Sequence, residues 1–146
     1  MTERPNWLGL FRSLRPGSKT ILFRPPSVDL VVEFARRGFR LLVVHSNEEL
    51  LSRCKAELRA QGLSSLLMGV YTQTDSKDLS TAKEFYEICC CFESVEDVFQ
   101  TLRASLRPRG LLVGPPGAFG KLGTSLDGFH DCSEPLSNDL LGFRLA

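Results

Sequence analysis

The sequence predicts an α/β fold in which a mainly parallel sheet lies between two layers of helices. Three observations predict it. Short apolar runs alternate with amphipathic helical patterns along the chain, the order of βαβ units with right-handed crossovers. Phe39 to Val44 is apolar throughout except Arg40, as expected of a strand buried on both faces. The end of the chain, Phe129 to Ser133 and Leu140 to Leu145, reads as a hairpin that adds antiparallel strands. A chain of 146 residues suits one domain, 1–146, and no internal repeat or low-complexity linker divides it.

Asn6 to Leu14 reads as a short amphipathic helix carrying Trp7, Leu8, Leu10, Phe11 and Leu14, and it stops at Pro16-Gly17. Lys19 to Phe23 is the first strand. Ser27 is placed to cap a helix over Val28 to Arg37, with Val28, Val31, Val32 and Ala35 on one face and Gly38 closing it. After the second strand, Ser46 and Glu49 have capping-box spacing, and Leu50, Leu51, Cys54 and Leu58 form the buried stripe of a helix that ends at Gly62. Leu66 to Val70 is a third strand, and Thr72 to Thr81 is polar loop. Phe85 to Phe92 is the fourth. Ser94 is read as the cap of a helix carrying Val95, Val98, Phe99, Leu102 and Leu106, and the turn Arg107-Pro108-Arg109-Gly110 leads into a fifth strand, Leu111 to Val113.

Composition excludes several classes. A formal net charge of +1 argues against a nucleic-acid binder working by massed charge, although Arg36, Arg37 and Arg40 form one local cluster and Arg103, Arg107 and Arg109 another. No segment is apolar for the roughly 18 residues of a membrane helix. Met1 to Gly9 is polar and carries Pro5, which predicts no cleavable signal peptide. Five cysteines, three of them consecutive at Cys89-Cys90-Cys91, do not form a disulfide framework, so a reducing, cytoplasmic location is expected. Metal sites separate their ligands so that side chains converge, whereas neighbours in a strand point to opposite faces. Cys54 and Cys89 to Cys91 are therefore expected in the core, and Cys132 has no nameable partner.

Two stretches carry a resemblance. Val31 to Val44, VVEFARRGFRLLVV, and Phe85 to Val113, FYEICCCFESVEDVFQTLRASLRPRGLLV, resemble the corresponding helix–strand and strand–helix–turn–strand segments of class I S-adenosylmethionine-dependent methyltransferases, and Leu126-Asp127-Gly128-Phe129 is similar to the opening of that family's sixth strand. The resemblance implies a Rossmann-like three-layer α/β/α fold with a cofactor at the carboxyl ends of the strands. Where the family has an acidic residue and a G-x-G-x-G loop, this chain has Phe23 and Arg24-Pro25-Pro26-Ser27, without glycine and with two residues lacking an N–H. Where the family's second strand ends in an acid for the ribose hydroxyls, His45 stands, which as a neutral imidazole accepts one hydrogen bond. Asp75 matches the acid near the adenine.

No cofactor-binding residue is therefore expected. If S-adenosylmethionine does bind in an atypical way, Arg24, Ser27, His45 and Asp75 are the candidates. No catalytic residue is expected either: Cys91-Phe92-Glu93-Ser94 shows no base for a cysteine nucleophile, and two scattered histidines, His45 and His130, form no triad. No metal site is expected. Gly114-Pro115-Pro116-Gly117 and Gly120 lack phosphate-loop spacing and read as a connection. The Pro-containing first loop, Ser105 to Pro108, Lys121, Asp127 to Phe129 and Glu134-Pro135 are similar to the N-terminal domain of the anamorsin family of cytosolic iron–sulfur assembly factors. That resemblance implies a non-catalytic module with a protein partner. It also implies a fragment of a longer protein, because the family's C-x₂-C cluster region has no counterpart here.

Overall fold

The computed structural model describes residues 15–72, 85–95, 98–120, 126–131 and 140–145. Its elements are β1 (Lys19–Phe23), α1 (Val28–Arg36), β2 (Arg40–His45), α2 (Glu48–Ala60), β3 (Leu67–Thr72), β4 (Tyr86–Cys91), α3 (Phe99–Ser105), β5 (Leu106–Gly114), β6 (Phe129–Asp131) and β7 (Leu141–Leu145). They form a seven-stranded sheet in the order β3-β2-β1-β4-β5-β7-β6. β1 to β5 pair in parallel, while β7 runs antiparallel to both β5 and β6. The predicted α/β class is therefore observed, with the C-terminal strands adding the antiparallel edge.

One face of the sheet packs under α1 and α2 through Leu22, Val31, Phe34, Leu41, Leu58 and Cys90. The other packs under α3 through Ile21, Phe23, Cys89, Cys91, Phe99 and Leu102. Consecutive β4 cysteines thus enter opposite layers, as strand alternation dictates, and Cys54, Cys89, Cys90 and Cys91 are all completely buried. Burial pushes the Cys54 thiol up to about 11 and raises Cys90 and Cys91 well above the ordinary range, so these are inert core thiols.

Three local expectations are corrected. Asn47, not Ser46, caps α2: its Oδ1 accepts from the Leu50 N–H at 3.1 Å, so the helix starts one residue later than the capping-box spacing suggests. The described helix before β5 begins at Phe99 without a side-chain cap rather than at Ser94. β5 takes in Arg107 to Gly110, because Leu106 already pairs with Tyr86 before the ladder resumes at Ile88 and Leu111. Five residues of β5 thus advance against two of β4, and the turn becomes a bulge. Gly38, at φ 89°, closes α1 as expected, with its N–H bonding the Ala35 carbonyl at 2.9 Å. The Asn6 to Leu14 helix, Asp75, most of the Thr72 to Thr81 loop, Lys121, Cys132 and Glu134-Pro135 lie outside the described residues.

Candidate functional site

In a sheet of this order the strand sequence reverses between β1 and β4. Ligands of open α/β sheets bind outside the carboxyl ends of the strands at such a point. Phe23 is followed there by the loop Arg24 to Ser27. Arg24 adopts φ 54°, a left-handed conformation unusual for a side chain with a Cβ. Its backbone N–H donates to the Val44 carbonyl at 2.7 Å, which ties the loop to the end of β2. Pro25 is buried. Ser27 keeps the structural task expected of it, its Oγ accepting from the Leu30 N–H at 3.3 Å.

The Arg24 side chain crosses the switch point. Its Nη1 lies 3.0 Å from Glu93 Oε2, just beyond β4, and its guanidinium lies 5.5 Å from the Phe23 ring centroid. Below this pair the Phe92 N–H donates to the Phe23 carbonyl at 3.1 Å, so the β1–β4 ladder continues one step beyond the strands. His45 flanks the loop from β2. Its Nδ1 accepts from the Asn47 N–H at 2.9 Å, and the imidazole also hydrogen-bonds the Pro25 backbone. Burial lowers the His45 pKa, with Arg24 adding to the effect and Glu93 opposing it, so the neutral ring is favoured.

Of the sequence candidates, the structure brings Arg24, Ser27 and His45 together around Pro25. Glu93 is the residue the sequence did not single out for this site; 69 residues separate it from Arg24, and nothing local links them. The donor set can be tested against S-adenosylmethionine, which wants backbone donors after β1 and an acceptor for two ribose hydroxyls after β2. Arg24 has spent its N–H, the prolines have none, and His45 Nδ1 already accepts from the Asn47 N–H. These residues fit the cofactor poorly. Among the described residues no three His, Cys, Asp or Glu side chains gather as metal ligands do. No described helix is long and apolar enough to cross a membrane.

Comparison with solved structures decides the fold family. A methyltransferase from Geobacter sulfurreducens superimposes with a TM-score of 0.72 at 16% identity, covering 100% of this chain and 82% of its own. This is the class I methyltransferase fold. A Corynebacterium glutamicum protein matches with a TM-score of 0.71 at 18% identity, over 99% of this chain and 83% of its own. The O-methyltransferase TomG from Streptomyces achromogenes, solved in complex with S-adenosylmethionine, matches at 0.59 and 15% identity over 82% of this chain and 58% of its own. No family model and no curated protein matches at the level of sequence. A [4+2]-cyclase, SpnF, shares the fold at a TM-score of 0.63, so the architecture alone does not specify methyl transfer.

Proposed function

We propose that this domain is a non-catalytic, methyltransferase-like module that acts by binding another protein and does not use S-adenosylmethionine. The observation that carries the reading is the Arg24–Glu93 pair lying across the switch point, above a loop whose first three residues have no N–H to offer. The narrower reading, an interaction domain of a cytosolic iron–sulfur assembly factor, is supported by the sequence resemblance to the anamorsin N-terminal domain. A cysteine-rich region following this domain in the full gene product is the expected finding under it.

A competing reading is an active methyltransferase with an atypical cofactor loop. It is favoured by the fold shared with TomG, which was solved in complex with S-adenosylmethionine. Titration calorimetry with S-adenosylmethionine and S-adenosylhomocysteine separates the two. No heat and no rise in melting temperature at millimolar ligand is expected; micromolar affinity with matching thermal stabilisation establishes the methyltransferase reading instead.

A further inference from the structure

The opposite, amino-terminal edge of the sheet carries a cleft of about 560 Å³. Its walls come from the turn before β1, the start of β4, the β5 bulge and β7, and they bring Arg15, Arg107, Arg109 and Arg144 around one acidic residue, Glu87. Four arginines against one glutamate give this patch three net positive charges in a chain whose formal net charge is +1. Helix electrostatics account for basic residues in last turns, such as Arg36, Arg59 and Arg103. They do not account for the cleft arginines, which sit on strands and turns.

The cleft is also built at some cost to the backbone. Arg109 holds φ 67°, and Arg144 Nη1 donates to its carbonyl oxygen at 2.9 Å, which fixes the bulge against β7. Gly110 permits the tight turn, since a Cβ there would meet the Arg107 carbonyl oxygen at 2.8 Å. Arg107 reaches Glu87 at 3.3 Å while remaining half exposed. Guanidinium groups present planar donor forks matched to carboxylates.

We infer that this cleft is the docking site for an acidic segment of a protein partner, with Arg107 and Arg109 reading its carboxylates. Its volume falls within the range of ligand-binding clefts, and the positive charge of its walls selects an acidic occupant. A whole-chain net charge of +1 argues against an extended phosphate backbone as the occupant, since such domains are usually strongly basic. The inference deepens the interaction-module reading and rests on it only in making the occupant a protein. The cofactor titration probes the other edge, so either can fail without the other.

The test is fluorescence anisotropy of the intact protein with a labelled twelve-residue Asp/Glu peptide, and with a twelve-nucleotide single-stranded DNA as competitor for the assignment. Saturable peptide binding is expected, weakened at least tenfold by the double variant Arg107→Ala/Arg109→Gly and several-fold when salt rises from about 50 to 300 mM. Arg36→Ala/Arg37→Ala, on the end of α1, is expected to leave it within twofold. Circular dichroism melts verify that each variant is folded, and Arg107→Glu, at an exposed position, serves as the second probe if the double variant is not. Absent peptide binding, binding indifferent to Arg107 and Arg109, or tighter binding of the oligonucleotide overturns the inference.

Discussion

The two ends of this sheet each hold one arginine in the left-handed region, and these two are the non-glycine residues with positive φ among those described: Arg24 at 54° on the carboxyl edge and Arg109 at 67° on the amino edge. The backbone device is the same and its use is opposite. Arg24 turns back over the β1–β4 junction and is met by Glu93 at 3.0 Å. Arg109 turns outward, its carbonyl oxygen held by Arg144 and its side chain left exposed at a cleft rich in positive charge. The same backbone conformation thus serves two side-chain arrangements, set by the partners that each arginine meets.

The largest expected effect tests how closely β5 packs against β4 at the carboxyl edge. Gly114, at the end of β5, lies so close to β4 that a Cβ there would collide with the Cys91 backbone carbonyl and would stand 3.3 Å from the Phe119 ring. Backbone cannot swing aside as a flexible side chain can. Gly114→Ala is expected to lower stability by on the order of 3 kcal/mol in urea unfolding. A loss below about 1 kcal/mol would mean that β4 and β5 can separate there to admit a side chain.

Next comes the paired substitution of the two strained arginines. Arg109→Gly relieves the left-handed strain and removes an exposed side chain, so a gain of about 0.5–1 kcal/mol is expected even as peptide binding falls. Arg24→Gly relieves the same strain but loses the Glu93 pair and the contact with Phe23, so little or no net gain is expected. Equal gains at both positions would show that Arg24's interactions contribute nothing.

The frame of strands was legible in the sequence because hydrophobic periodicity and punctuation agreed there. β1 occupies Lys19–Phe23 as read, α1 begins at Val28 behind Ser27, and Gly38 closes it. Misreadings arose where two local signals competed. Ser46 and Glu49 have the capping-box spacing, yet Asn47 takes the cap while its own N–H is held by His45. The Arg-Pro-Arg-Gly turn is real but was absorbed into β5 as a bulge, because Leu106 finds a partner in Tyr86. At the carboxyl edge the sequence displays Pro25 and Pro26, which carry no N–H, whereas the Arg24–Glu93 pair is a contact across the sheet with no local trace. The basic cleft was half visible: Arg107 and Arg109 are neighbours in sequence, Arg103 instead lies 5.3 Å from the Phe129 ring centroid, and Arg15 and Arg144 join through topology.

A smaller effect measures the Arg24–Glu93 pair itself. The Arg24 and Glu93 side chains are 26% and 57% exposed, so solvent screens much of their attraction. A double-mutant cycle with Arg24→Ala and Glu93→Ala is expected to return a coupling of about 0.2–1 kcal/mol that shrinks as salt rises. Zero coupling would leave the pair as a surface contact of no consequence for the edge.

The smallest effect concerns His45. Its folded pKa lies below the ordinary 6.5, chiefly because burial disfavours the imidazolium. Between the folded value and 6.5 the unfolded chain binds more protons than the native one, so unfolding free energy rises with pH across that window and is level above it. Protonation also costs the bond that Nδ1 accepts from the Asn47 N–H, and with it the tie between the end of β2 and the start of α2. His45→Gln is expected to flatten this slope in urea titrations between pH 5 and 8, leaving the wild type at its greatest relative advantage above pH 7. A wild-type advantage that instead grows as pH falls would mean that Glu93 outweighs burial. The carboxyl edge would then be held by an imidazolium and would lock more firmly in acid.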